Sequence, residues 1–535
     1  MSRVVEKRLG ALPVVAGFLR RLDVAGTVDQ ACPIGERALS THGQIVEALV
    51  ANRLTSPLPL QHVSHWARDW AVEEVFGLPA DILNDDRLAR ALDAIAPNLE
   101  SIVGSVGARA IDVFGLDVTR LHWDMTSMSL HGAYEETEED YPAPAYGHPK
   151  DRRTDLKQIQ AGLAVTGDGG VPIFHRAYDG GAAEVSQVTA AMNNLSSMAG
   201  QRDFLLVGDS KLLSWNNVGA MTDAGVGFIA PLAAARVPAG LFASLDPNTA
   251  RPVEYVAQRD ADKPADQRCS YRVLEDTMEL AGPRKSDRVH RLRRILVHSS
   301  ANAMVAANVR VLKLKRTAEE LDKLTRTTGT RYYPDADAVT RKITQITSKR
   351  KVTAYLRTEV TIDPDTAKPT LAWFFDEQAI NAEAATDGWY ALLSNLDSKE
   401  ADAAEVLIRY KGQPTVERRY SEFKGPLAVT PMFLHHNRRI AALITVICLA
   451  LLIFCLIERE VRRALLPTTG LVGFYAFDNR TVRPTGRLIF FALSRIRYLP
   501  AHDNSPPQIL VPEPIQLHLL ELLKIDPAQP RWMTE

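Results

Sequence analysis

A mixed α/β layer fold, with an inserted basic domain and a helical N-terminal domain, is what this 535-residue sequence predicts. Three observations carry that expectation. The first 110 or so residues follow the helical period alone, and residues 113–232 alternate strand-like with helix-like stretches. Between Arg284 and Arg357, 19 Lys and Arg stand against 6 Asp and Glu, a local excess of 13 in a chain whose net charge is −1. Any polyanion would therefore meet this protein through one segment. A chain of this length exceeds one core at roughly 150 residues per domain. Its 46% hydrophobic and 24% charged residues are ordinary globular usage, which excludes collagenous and low-complexity classes.

Residues 1–112 read as an N-terminal helical domain. The apolar stretch Gly10–Leu19 follows Arg3, Lys7 and Arg8, but Arg20 and Arg21 come next without a small-residue cleavage site. That pattern predicts an amphipathic surface helix rather than a signal peptide. Thr41 caps HGQIVEALVANRL, Pro57 and Pro59 open a helix carrying Trp66 and Trp70, and DDRLARALDAIA places acids at its positive end. Such an array is either a packed core or a surface that docks on DNA.

Residues 113–232 form the first part of the core. VTRLHWDMTSMSL alternates as a strand and leads into an acidic loop with Glu135, Glu136, Glu138, Glu139 and Asp140. AGLAVTGDGGVPIFHRAYDG reads as a hairpin in which Asp168 is a turn former. A helix follows, then FLLVG as a short buried strand ending at Asp209, then another helix and the strand VGFIAPL. Residues 233–385 shift to Ala/Arg/Lys-rich sequence with short β-like pieces, RRILVHSS and KVTAYLRTEVTI, and read as an inserted domain. Residues 386–460 return to the core, and residues 461–535 form a tail of short helices separated by Pro-rich stretches.

Within the core's second part, Ile440–Ile457 runs 18 residues without a charge. It would span about 27 Å as a helix, just short of a hydrocarbon core of about 30 Å. A helix buried on all sides gives the same pattern, and arginines flank this one at both ends, so a buried core helix is expected over a membrane span. Four cysteines (Cys32, Cys269, Cys448, Cys455) without a C-x-x-C pair exclude a structural zinc module and fit a reducing, cytoplasmic compartment.

The sequence holds no G-x-G-x-x-G or Walker loop in the right order, no H-E-x-x-H and no G-x-S-x-G. What remains is carboxylates at strand ends. Asp124 lies inside LHWDMTSM, where a charge is costly unless paired or bound to a cation, and Asp209 terminates FLLVG. Either alone reads as a cap or turn former; two on one sheet make a hard-oxygen site suited to Mg²⁺. Tyr410, Glu417 and Lys424 recur every seven residues and would share one face of a continuous helix, except that Pro414 forces a kink or restart.

LHWDMTSMSLHG, GHPKDRRTDLKQIQAGLAV, FLLVGDSKL and the pattern Tyr410, Gln413, Glu417, Lys424 together resemble the bacterial insertion-sequence DDE transposases. The resemblance spans about 40 to 460 and implies an RNase H-like mixed sheet flanked by helices, with a β-containing insertion before the glutamate helix. It implies Asp124, Asp209 and Glu417 as a metal-binding triad for two Mg²⁺ ions, with Mn²⁺ able to substitute, and Tyr410 and Lys424 as further catalytic residues. The gaps of 85 and 208 residues fit a triad whose second interval holds the insertion. Where the family's signature has Arg, this chain has Gln413; Arg409, Arg418 or Arg419 is then available to make that phosphate contact. Lys150, Arg152, Arg153, Lys157 and Gln413 are the expected DNA-binding residues, although a solvated charged loop explains the four basic ones equally well. The implied activity is cleavage at terminal inverted repeats and joining of 3′ ends to target double-stranded DNA, by a homodimer assembled on DNA at the bacterial nucleoid, with no membrane partner. A structure-selective nuclease, a DNA-binding relic without activity and a membrane-anchored protein are the alternatives.

Overall fold

Helix boundaries near the N-terminus follow local chemistry. The computed structural model describes residues 6–525, apart from 36, 136, 201, 202, 258, 259, 262, 428–431, 433, 466–469, 476–479, 502–505 and 511; Glu136 of the acidic loop thus lies outside the described residues. Strand β1 (Lys7–Arg8) precedes α1 (Leu12–Leu22), α2 (Val24–Ala31), α3 (His42–Thr55), α4 (Val63–Asp69), α5 (Val72–Phe76), α6 (Asp85–Ile95) and α7 (Leu99–Phe114). Thr41 and Gln44 form a reciprocal capping box at α3, and Asn84 caps α6 by accepting the Arg87 N–H. The expected surface helix at Gly10–Leu19 is instead mostly buried: Leu12, Val14, Val15, Phe18, Leu19 and Leu22 all face protein. Phe18 stacks on Phe114 at 5.4 Å, so the apolar arc of α1 is too wide for a surface helix.

The chain divides into two compact units, one of Met1–Phe228 with Lys411–Glu535 and one of Ile229–Tyr410. In the first, β2 (Arg120–Leu130), β3 (Lys157–Thr166), β4 (Pro172–Tyr178), α8 (Glu184–Ala199), β5 (Leu205–Val207) and α9 (Trp215–Asp223) follow α7. The strands lie in the order β4-β3-β2-β5, antiparallel except for the parallel pair β2–β5, so this is a mixed sheet flanked by helices. Gly107 lets α7 approach β4 closely, since a Cβ there would lie 2.2 Å from the Ile173 carbonyl oxygen.

The second unit contains β6 (Gly227–Pro231), β7 (Arg251–Val253), β8 (Tyr271–Leu280), β9 (His290–Ser299), α10 (Ser300–Thr327), α11 (Ala336–Arg350), β10 (Leu356–Ile362), β11 (Pro369–Phe375), α12 (Glu377–Ala384), β12 (Trp389–Ser394) and α13 (Ala403–Tyr410). Its antiparallel strands run β6-β12-β9-β8-β7. Hairpin β10–β11 packs on α10 and α11 over a small core of Leu321, Leu324, Val339, Ile343, Ile346, Leu356 and Leu371. Sequence alone set this domain at 233–385; the compact unit runs to Tyr410 because β12 pairs with β6 and β9.

The chain re-enters the first unit with α14 (Pro414–Lys424), α15 (Asn437–Ala464) and α16 (Gly486–Leu493), then β13 (Arg497–Leu499), β14 (Gln508–Ile509) and α17 (Pro514–Leu522). Strand β13 pairs with both β1 and β14. Helix α15 is long and apolar enough to cross a membrane, and its most apolar 18-residue window is wholly buried within this unit, against α3, α6, α14, α16 and β4. Burial on every side explains the unbroken apolar run.

Candidate metal centre

Register brings two aspartates level. In the parallel pair β2–β5, His122 lies opposite Val207. Asp124 stands two residues further along β2, and Asp209 lies two residues beyond the end of β5. Asp209 also caps the short turn Ser210–Leu213, its Oδ1 accepting the Lys211 N–H at 2.8 Å, so the strand-end cap and the cluster residue are the same side chain. A third carboxylate arrives from Glu184, the first residue of α8. One carboxylate oxygen from each of Asp124, Glu184 and Asp209 lies within 4.8 Å of the other two.

This cluster is mostly buried: Asp124 and Glu184 are each 7% exposed. Burial pushes the Asp124 carboxyl above its usual range; Lys150 and the Met125 N–H, 2.8 Å from Oδ1, pull against that, and Asp209 adds to it. Glu184 is pushed up in the same way, by burial first, with Lys211 opposing and Asp209 and Asp124 reinforcing. Lys211 itself is raised: burial lowers it, and the bond to Glu184 outweighs that. Three hard-oxygen ligands held together against their own repulsion fit a divalent cation such as Mg²⁺ or Mn²⁺, which relieves that repulsion.

Helix α14 fastens β2 beside this cluster. Tyr420 Oη donates to the Asp124 carbonyl at 2.5 Å and to the Ala161 carbonyl at 3.2 Å, tying β2 to β3. Lys424 Nζ donates to the Ser127 carbonyl at 2.7 Å. Gln413 is buried, its Oε1 3.1 Å from His122 Nδ1 and its Nε2 3.5 Å from the Trp123 carbonyl. Its amide is therefore engaged in the protein interior, in contrast to the DNA contact expected from sequence. Burial pushes the His122 imidazole down to about 4, so it is neutral at pH 7 and Nδ1 carries the proton given to Gln413.

The other expected site residues fall as follows. Glu417 has the helical spacing of Gln413, Tyr420 and Lys424, yet it is exposed, and it is not one of the three clustered carboxylates. Tyr410 ends α13, in the other compact unit, and α14 restarts at Pro414. Lys150 Nζ sits 3.3 Å from both Asp124 carboxylate oxygens. Arg153 forms a two-pronged pair with Asp155, and Lys157 bonds to the Ala133 and Tyr134 carbonyls; Arg152 is exposed at φ +63°. Among the arginines offered in place of a missing one, Arg419 is buried on the Gly169 and Gly170 carbonyls, Arg409 pairs with Glu405, and Arg418 is exposed. Asp168 stays structural, paired with Arg459 at 2.5 Å.

Sequence reasoning missed Glu184. An acid in a first helical turn is expected on dipole grounds alone, which hides a second use. The available signal was its place at the start of the helix that precedes the Asp209 strand.

Fold and site thus define a mixed α/β protein with three clustered carboxylates that could hold a divalent cation. Residues 4–101, the helical N-terminal part, match the family described as "Domain of unknown function (DUF4277)". No curated protein matches the chain. Among solved structures, it is similar to a piggyBac transposase synaptic complex with hairpin DNA, at 8% identity and a TM-score of 0.35, over 92% of this chain and 82% of that one.

Proposed function

We propose that this chain is a DDE transposase of the bacterial insertion-sequence type, which binds the terminal inverted repeats of its element, cuts the DNA there and joins 3′ ends to target DNA. The observation that carries this reading is the convergence of Asp124 and Asp209, the two strand-end acids of the motif resemblance, on one buried site with Glu184. Mg²⁺, as a pair of ions, is the proposed cofactor, a homodimer on DNA the working assembly, and the cytoplasmic nucleoid the place of action.

Asp124, Glu184 and Asp209 would hold the ions, which supply Lewis-acid polarisation of the phosphoryl group. The rest falls to the chain. Tyr420 and Lys424 fix the backbone of β2 at Asp124 and Ser127, so the Asp124 carboxylate is positioned before substrate arrives. Burial keeps water from competing for Asp124 and Glu184. Exposed Arg152 is free to meet a DNA phosphate, and half-exposed Lys150 could do so on leaving Asp124.

The test incubates purified protein and Mg²⁺ with DNA flanking its own gene and maps cut and joined ends. Asp124→Asn, Asp209→Asn and Glu184→Gln should each lower cutting on the order of 100-fold or more, with binding to the ends retained. Glu417→Gln decides the third acid: loss there with cutting intact in Glu184→Gln assigns it to Glu417, and the reverse pattern to Glu184. Absence of cutting by the wild type under all conditions would overturn the reading.

A further inference from the structure

Two ammonium groups occupy the approach to the carboxylates. Lys150 Nζ lies 3.3 Å from Oδ1 and 3.3 Å from Oδ2 of Asp124, capping both oxygens at once. Lys211 Nζ bonds Glu184 Oε2 and lies 3.9 Å from Asp209 Oδ2. Two of the acids and the two lysines differ sharply in exposure, while the Asp209 side chain is 40% exposed. Side chains of Asp124 and Glu184 are 10% and 6% exposed, those of Lys150 and Lys211 50% and 46%. Each lysine is therefore half exposed while its ammonium group contacts a buried carboxylate.

Ammonium and metal ion compete for the same lone pairs. A divalent cation needs carboxylate oxygens at about 2.0–2.6 Å, a shell that leaves no room for an ammonium bonded to those oxygens. A lysine head on a flexible four-carbon stem can move several ångströms without any backbone change. Lys424, a third nearby lysine at the end of α14, is engaged differently, on the Ser127 carbonyl.

We propose that Lys150 and Lys211 are resident counter-ions of the Asp124, Glu184 and Asp209 carboxylates, that a divalent cation displaces them, and that the released ammonium groups then hold the phosphates of the DNA strand at that site. The proposal rests on the reading of the three carboxylates as a cation site. Without cation, the two lysines offset part of the repulsion among the three acids. With cation but no DNA, two free ammonium groups next to a divalent ion weaken its binding. A DNA phosphate removes that penalty, so DNA and cation favour each other's binding by equal factors.

Full-length wild type is treated with acetic anhydride across an Mn²⁺ titration, and acetylation is read lysine by lysine by mass spectrometry. Free Mn²⁺ is followed in parallel by electron paramagnetic resonance, with and without duplex DNA. Acetylation of Lys150 and Lys211 should rise several-fold as Mn²⁺ binds, while Lys424 stays unchanged. Lys150→Met and Lys211→Met should bind Mn²⁺ about tenfold more tightly, the expected order for removing a like charge a few ångströms away in a partly solvated site. Both should also lose most of the enhancement that DNA gives to Mn²⁺ binding. Mn²⁺ binding by wild type with unchanged acetylation of both lysines overturns the proposal and leaves the metal site intact. Equal Mn²⁺ binding by wild type, Asp124→Asn and Glu184→Gln overturns the metal site and the proposal together. The acetylation readout uses wild type alone, so it decides the matter even if a lysine variant fails to fold.

Discussion

At the scale of single residues, burial sets protonation. His175 on β4 is buried, its Nε2 has no hydrogen-bond partner among the described residues, and loss of solvent pushes its imidazole down to about 3. In the unfolded chain it would take a proton near pH 6.5; in the fold it stays neutral far below that. Its neutral form therefore favours folding at pH 7, and that contribution is lost as pH falls from about 6.5 towards 3, because the unfolded state binds the proton first. Glu47 works with the opposite sign: burial pushes it up to about 7, so its contribution is lost as pH rises from about 4.5 through 7. A variant comparison separates the two. Between pH 7 and pH 4, His175→Leu should lose about 3 kcal/mol less stability than wild type in denaturant unfolding. Identical losses in both proteins would place the acid sensitivity in other groups.

At the scale of elements, α14 does two jobs, and the sequence showed where the helix restarts but neither job. The restart at Pro414 followed from proline chemistry, whereas the bonds of Tyr420 and Lys424 to β2 did not: the sequence marked Lys424 only as a further catalytic residue and did not mark Tyr420. Strand β2 with Asp124, and β5 just before Asp209, were legible because alternation and a short apolar run mark strands whatever surrounds them. Glu184 was not, since its partners lie far away in sequence. Helices α10 and α11 were also missed: basic and alanine-rich, they bury little beyond Leu321, Leu324, Val339, Ile343 and Ile346, so no strong apolar stripe announces them. The second job of α14 belongs to Arg419, which is 1% exposed and donates to the Gly170 carbonyl at 2.9 Å and the Gly169 carbonyl at 2.6 Å beside Glu458. Arg419→Met strands two turn carbonyls and weakens the pairing of a buried carboxylate that Arg462 and the Gly486 N–H still hold. It should cost about 3 kcal/mol in thermal or denaturant unfolding, whereas Arg418→Ala on the exposed face should stay within about 0.5 kcal/mol. A small loss for Arg419→Met would mean that Arg462 alone satisfies Glu458.

At the scale of the whole molecule, a net charge of −1 conceals the basic segment Arg284–Arg357, and the structure shows which of its arginines are paired with acids. Arg293, Arg294, Arg310, Arg350 and Arg357 pair with Glu275, Asp276, Asp387, Glu320 and Asp376. These pairs hold strands and helices of the second unit together and cannot serve a polyanion without breaking. Lys315, Arg316, Lys323 and Arg326 are different: they lie exposed along α10, with Arg341 and Lys349 exposed on α11. A row of exposed cations on a long helix suits DNA backbone, where each neutralised phosphate releases a counter-ion and steepens the fall of affinity with salt. If α10 holds the DNA backbone, replacing Lys315, Arg316, Lys323 and Arg326 together by Gln should flatten the plot of log affinity against log salt by up to about 0.9 per contact, or about 3 to 4 in all. Replacing Arg293 and Arg294 should instead lower stability, because Glu275 and Asp276 lose their partners. Affinity for duplex DNA measured from 50 to 200 mM salt on the quadruple variant decides this, and an unchanged slope would move DNA binding to helices α1–α7, whose exposed Arg and His residues are then the next to neutralise.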